Sequence, residues 1–407
     1  MHYNNPNAFD TSGYKNKTQY TEGKTAAGTD YYYTYGKTVS WKKIVILAIA
    51  VCLFAGIIFK CNQFQKTPLA SYKGQKYEKA VVTKIIKDNL AEDGSRYGTQ
   101  KVLVKMTTGT YKGKEKQAIN PSGTLFGADC KVGARIIVIV NKSGTNAGFT
   151  VYSQDRTMAI YGFALIFAAV VCAIGGKKGV YAILSLVFAF ACIIGIMFPM
   201  MYRGISPIVL TIIVAVLTTI VTLGLLGGYS SKTVSAILGT AIGVVIAAVA
   251  AMAFGKAAGI TGYNVSDIEA LNYVGQNTKI KIGELLFAGI IISALGAVMD
   301  VGMSIASTIQ EIYETDKTLS MKRLFVSGIN VGRDMMGTMT NTLIFAYVGG
   351  AMTTLVINYA YDLSYRQLAN SYVIGIEIMQ GLSGSLGVVL TVPITALIAS
   401  FLAVRKK

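Results

Sequence analysis

Between Ala294 and Tyr347 the chain carries carboxylates, an arginine and amides inside or beside stretches hydrophobic enough to cross a bilayer. A carboxylate at the centre of a membrane helix costs roughly 2.5–3.5 kcal/mol. Asp300, in the run LGAVMDVGMSIAS, must therefore be paired, hydrated or at work. Asp334, in VGRDMMGTMTNTL, and Glu377, in IGIEIMQGLSG, pose the same question beside two other apolar runs.

The spacing adds to the residue types. Ser293, Gly296, Asp300, Ser304, Ser307 and Glu311 recur at helical intervals and form a small, polar stripe on one face. Such a face packs closely against another helix or lines a pathway, and an acid at mid-depth favours the pathway. In the next apolar run Asp334, Thr338, Asn341 and Tyr347 make a polar half. Neighbouring residues on a helix point apart, so Arg333 is expected to reach Asp300, Glu311, Glu377 or a lipid phosphate rather than Asp334. An ion pair that merely ties helices together is the competing reading. Glu377 is followed by Gly381, Gly384, Ser385, Gly387 and Pro393. That composition suits either a broken helix whose unwound backbone binds a cation or a glycine-lined packing seam. The chemistry expected is binding of a small solute or ion. Asp300, Asp334 and Glu377 would take a proton or metal cation, Arg333 an anion or a gate, and Ser304, Thr338 and Asn341 would supply neutral contacts.

Other chemistries find no support. The single histidine, His2, lies in a polar tail, which leaves no imidazole for a Ser-His-Asp set or a buried metal site. Phosphate-loop look-alikes fail on spacing: Tyr31 stands where the glycine before Lys37-Thr38 should be, and Lys232-Thr233 follows Ser231. Met299, Met303, Met335, Met336 and Met339 are core fillers rather than copper ligands, since no Cys or His accompanies them. Neither metal nor cofactor is expected, and the chain is not read as an enzyme. An aspartyl hydrolase using Asp300 and Asp334 as a dyad is a weaker alternative, because neither acid stands in a Tyr-Asp or Gly-x-Gly-Asp context. A non-transporting scaffold or sensor of an envelope complex is the other alternative.

The elements that must carry these residues follow from composition. The 407 residues are 53% hydrophobic and only 14% charged, which describes an integral membrane protein. Eight apolar segments stand out: Ile44 to Phe59, Met158 to Ile174, Gly179 to Met200, Ile205 to Leu226, Thr233 to Phe254, Gly283 to Ile309, Met335 to Ile357 and Tyr372 to Val404. The fold expected is thus a polytopic α-helical membrane protein of about eight transmembrane helices. A small extracytoplasmic β domain separates the first two. By domain, residues 1–40 read as a disordered cytoplasmic tail, 41–60 as an anchor, 61–156 as a barrel-like β domain and 157–407 as a seven-helix membrane domain. The net charge of +18 is spread over tail, β domain and loops, so no nucleic-acid partner is expected. Lys42, Lys43, Lys177, Lys178, Lys232, Lys317, Lys322, Arg323, Arg333 and the C-terminal Arg405, Lys406 and Lys407 put both termini in the cytoplasm of a plasma-membrane protein. The partners expected are the lipid bilayer and a small solute or ion, with a homo-oligomer left open because dimerisation is not legible in the sequence. Gln310 to Arg333 reads as a cytoplasmic connection holding an interfacial helix, and Gly239 with Gly243 forms a G-x-x-x-G.

These residues resemble the YibE/F-like family of bacterial integral membrane proteins. The resemblance rests on GAVMDVGMSIAS (Gly296 to Ser307), VGRDMMGTMTNTLIFAYVG (Val331 to Gly349) and GSLGVVLTVPITA (Gly384 to Ala396), and is read from about Lys79 to the C-terminus. It implies a transport or membrane protein, with motif positions at Asp300, Ser304, Arg333, Asp334, Thr338, Asn341, Thr342 and Glu377. Gln380 departs from the pattern, where similar chains often carry arginine, which weakens any second intramembrane ion pair.

Overall fold

The computed structural model describes residues 19–25, 28–34, 41–66, 68–72, 74–90, 98–121, 128–143, 146–265 and 267–405. It divides into two units, Met1–Phe64 and Gln65–Lys407. In the first, strands β1 (Gln19–Thr25) and β2 (Gly28–Thr34) pair antiparallel, and helix α1 spans Trp41–Asn62. The stretch read as a disordered tail thus holds a two-stranded ribbon, and its remaining residues lie outside those described.

The second unit begins with five strands: β3 (Gln75–Lys87), β4 (Gln100–Met106), β5 (Glu115–Asn120), β6 (Arg135–Ser143) and β7 (Asn146–Gln154). They close into a barrel in the order β3-β4-β5-β7-β6, with β5 and β7 parallel and the other pairs antiparallel, the Greek-key order of an OB-type barrel. Alternation drives the closure. On β4 Val102, Val104 and Met106 point inward against Val82, Ala118, Ile136 and Val138, while Lys101 and Lys105 face out. Two polar residues, Gln100 and Asn120, are buried with them. Asn120 donates to Gln100 and to the Ala128 carbonyl, and Gln100 donates to Asp88 and to the Cys130 carbonyl, so the amides hold the residues after the β5 connection against the barrel. The thiol-bearing Cys130 lies wholly inside this core.

Asp155 joins the barrel to the helices. It accepts from the Thr157 amide at 3.1 Å and faces Lys79 Nζ at 2.9 Å. Bonds from the Thr157 side chain, then Lys79, hold its carboxyl at about 2.

Helix α2 (Thr157–Cys192) follows at once, then a π-helical turn (Ile193–Met197) and α3 (Phe198–Tyr202). This run is broken at Gly176, whose φ of 52° and ψ of −129° are non-helical. Residues eight apart in a straight helix sit about 12 Å apart, yet a Cβ at Gly179 would press on the backbone of Val171 and Cys172, so the chain doubles back between them. Helices α4 (Pro207–Gly227), α5 (Ser231–Ala257) and the short α6 (Ile268–Asn277) come next, then α7 (Leu285–Thr315) and α8 (Met321–Gly350). The chain ends with α9 (Met352–Ala360), α10 (Tyr365–Ala369) and α11 (Tyr372–Arg405). Serines set where several begin: the hydroxyls of Ser206, Ser230 and Ser320 accept from Val209, Thr233 and Arg323 amides at the starts of α4, α5 and α8.

Among the described residues five helical runs are long and apolar enough to cross a membrane, or six if α8 and α9, bent by 60° at their junction, count as one. The bundle core is an α5–α7–α8–α11 packing built on small residues. The backbone of α5 at Gly239 and Gly243 lies against Thr395, Thr391 and Gly387 of α11, so the G-x-x-x-G is a real close approach. Gly302 of α7 abuts Thr240, and Gly328 and Gly332 of α8 abut Ile309 and Val392.

One open alternative is decided here and one expectation changes. Helix α11 runs unbroken through Pro393, with Gly384 and Gly387 spent on contact with Leu343, Ala247 and Gly243; the packing seam is the correct reading. The break falls instead after Gly349-Gly350, where α8 turns into α9. No interfacial helix separates α7 from α8, because only residues 316–320 connect them, and Leu324 is buried in the core as part of α8 itself. In that connection Thr318 donates to Asp316 through its hydroxyl at 2.6 Å and its amide at 2.9 Å, which keeps the Asp316 carboxyl below its ordinary range.

Candidate functional site

The tight contacts Gly328–Ile309 and Gly332–Ile305 fix the register of α8 against α7. The helices are antiparallel, so each four-residue step up one is a four-residue step down the other. Continuing that step sets Ser304 level with Arg333, Asp300 level with Gly337, and Gly296 level with Asn341. The two polar motifs therefore run side by side at the same depths.

Their direction is set by what the opposite faces do. On α7 Ile291, Ala294, Val298, Val301, Ile305 and Ile309 fill the core, which turns Ser293, Gly296 and Asp300 outward. On α8 Leu324, Gly328, Gly332 and Leu343 are buried, and Arg333, Asp334, Gly337, Thr338 and Asn341 are exposed. Ser304 and Ser307 are half-buried at the edge of the same face. Within the helices Thr338 and Thr342 turn their hydroxyls back onto the carbonyls of Asp334 and Thr338. Among the described residues no ion pair engages Asp300, Glu311, Arg333 or Asp334. The structure thus places Asp300 and Ser304 on the outer side of α7 and Arg333, Asp334, Thr338 and Asn341 on the exposed side of α8, and among the described residues pairs none of the acids with the arginine.

Glu377 belongs to a different layer. It is half-buried in a cleft of about 340 Å³ lined by Ile344, Tyr347, Ala351, Leu355 and Gly381, where α8 bends into α9. Tyr347 reaches out of that cleft and donates to Ser293 Oγ at 2.7 Å, while the Ser293 hydroxyl donates back to the Gly289 and Ile290 carbonyls at 3.0 Å. Ser293 lies two turns along α7 from Asp300, roughly 10 Å. The three acids consequently do not share one chamber: Glu377 sits at the bend with Tyr347 and Ser293, and Asp300 lies two turns farther along α7, level with Gly337 of α8.

Sequence reading overlooked a further polar layer. Thr240, Thr391 and Thr395 are fully buried at the α5–α11 seam, Thr391 bonding to the Gly387 carbonyl and the Thr240 and Thr395 hydroxyls unpartnered among the described residues. The four-residue spacing of Thr391 and Thr395, matched to that of Gly239 and Gly243, was the available signal. A second cleft, of about 470 Å³, lies between α6 and the start of α7, lined by Tyr263, Asn272, Gln276 and Lys281. Glu284, in its lining, bonds with Ser206; elsewhere Tyr273 donates to the Leu69 carbonyl and Lys66 lies over the Tyr202 ring. No group of three or more His, Cys, Asp or Glu side chains is placed to hold a metal among the described residues.

No curated protein and no solved structure matches this chain. A family model does: that of YibE/F-like protein matches residues 163–405. The match takes in both polar helices and α11 but leaves the β barrel outside it, so the similarity is narrower than the span beginning near Lys79. Since it covers well over half of the 407 residues, the chain belongs to the YibE/F-like family.

Proposed function

We propose that this membrane protein is a permease or exporter of a small solute or ion, not an enzyme, in which Asp300 and Arg333 form the working pair of a polar path along α7 and α8. The observation that carries this reading is that those two polar faces run side by side, with charged groups that have no ion partner among the described residues. Charges in apolar helices are costly, and they are retained where a polar ligand or water meets them. Thr338, Asn341 and Ser304 would serve as neutral contacts, and Asp334 as a second acid. Glu377, beside the bend of α8, would act as an outer station, since helix breaks beside acids are a recurrent setting for ion binding.

The breaks at Gly176 and after Gly350 support an eight-span topology that counts α1, both arms of the α2 run, α4, α5, α7, the α8–α9 pair and α11. With that count both termini lie in the cytoplasm of a plasma-membrane protein and the barrel lies outside. An aspartyl dyad is the weaker reading, because neither Asp300 nor Asp334 stands in a Tyr-Asp or Gly-x-Gly-Asp context.

Reconstitution with an entrapped pH-sensitive dye tests the proposal, using protons as the probe. Wild-type protein should dissipate an imposed pH gradient faster than empty vesicles, and Asp300→Asn should return the rate to that of empty vesicles. An unchanged rate in a folded Asp300→Asn protein removes the carboxylate from the mechanism.

A further inference from the structure

Most of the outer surface of the helical bundle is large and apolar: Phe163 and Ile166 on α2, Val249 on α5, Leu390, Leu397 and Phe401 on α11. The α7–α8 face is the exception. Gly289, Gly296 and Gly337 open onto empty space there, whereas the glycines turned inward are filled by neighbours. Asp300, Glu311, Asp334 and Arg333 share this face or its edge, exposed and without ion partners among the described residues. Hydrocarbon cannot cover it, since each unpaired charge would cost several kcal/mol.

We infer that a second copy of this chain covers it, the two copies meeting face to face through α7 and α8 about a two-fold axis. Charge complementarity argues for a copy over another occupant. In a two-fold contact each patch meets its own duplicate, so Arg333 of each protomer gains access to the acids of the other. The face carries both signs and is self-complementary in that sense. Segment Ile44 to Phe59 of the same chain has no charged residue and cannot neutralise either sign. The open glycines permit the close helix approach that such contacts use in membranes. The inference rests on the proposed transport reading and deepens it: the polar path is incomplete in one chain, and the facing protomer supplies its other wall.

Single cysteines in a variant lacking the five native ones test this, in native membranes treated with a thiol oxidant. Gly296→Cys and Ser307→Cys should convert most of the protein to a band of doubled mass, while Leu397→Cys on α11 should leave it monomeric. Arg333→Glu should lose most of the Gly296→Cys cross-link, with Arg333→Lys retaining it; both variants must elute as monodisperse, folded protein. A monomeric band for both face cysteines, together with a monomeric mass in lipid nanodiscs, overturns the inference, including the case in which another segment of the same chain covers the face. The flux assay separates the two readings. Dimers whose proton flux is indifferent to Asp300→Asn keep the interface and remove the transport reading; monomers with Asp300-dependent flux do the reverse.

Discussion

Tyr347 and Ser293 form the only side-chain hydrogen bond between α7 and α8 among the described residues, and it sits where α8 is about to bend. Removing a single such bond costs about 0.5–1.5 kcal/mol. Tyr347→Phe should lower the thermal midpoint of the detergent-solubilised protein accordingly, Ser293→Ala by a similar amount, and the double variant by no more than the larger single effect. Additive losses would show that the two side chains act separately.

The close approach of α5 to α11 gives a sharper stability test. Overpacking a filled contact costs about 1–3 kcal/mol. Gly243→Val, which meets Thr391, Val298 and the Gly387 carbonyl, should fall in or above that range in chemical denaturation. Gly224→Ala on α4 opens onto free space and should be neutral or stabilising by up to about 1 kcal/mol.

At the break in the α2 run, Gly176 has a positive φ that L side chains adopt at a cost of roughly 1–2 kcal/mol. Gly176→Val should destabilise by at least that much in the same denaturation experiment. The neighbouring Gly175→Ala, with no clash and no positive φ, should not.

The joint at Asp155 titrates. Its folded carboxyl, held at about 2 by bonds from Thr157 and Lys79, is more acidic than the usual 3.8. The stabilisation is therefore fully present above about 4 and is lost as pH falls from there toward 2. The melting temperature of the wild type relative to Asp155→Asn should stand highest at neutral pH and converge on the variant across that acid window. A constant gap down to pH 2 would mean that the carboxylate charge is not what the joint uses.

Much of the architecture was legible because hydrophobic length and alternation are strong signals. Val102, Val104 and Met106 announce β4, while β5, with only Ala118 and Asn120 turned inward, offers too little apolar alternation to be seen. The polar stripe through Ser293, Asp300 and Ser304 was readable from spacing alone, as was its aversion to lipid. Spacing could not tell which way the stripe faces, since that depends on which neighbour fills the opposite side. The placement of Glu377 away from Asp300 was hidden for the same reason. Whether α11 breaks could not be decided from its glycines and proline: Pro393 removes one amide donor, but the packing of α11 against three helices outweighs that loss, whereas Gly349-Gly350 near the end of α8 open onto empty space.

Only Asp155 and Arg156 separate the last barrel strand from α2, and the first of them is clamped from both sides. Such a short, braced coupling behaves as a stiff lever rather than a hinge. A load applied to the barrel is delivered as torque to the first arm of the helical hairpin, so strain in the barrel has a direct line into the bundle.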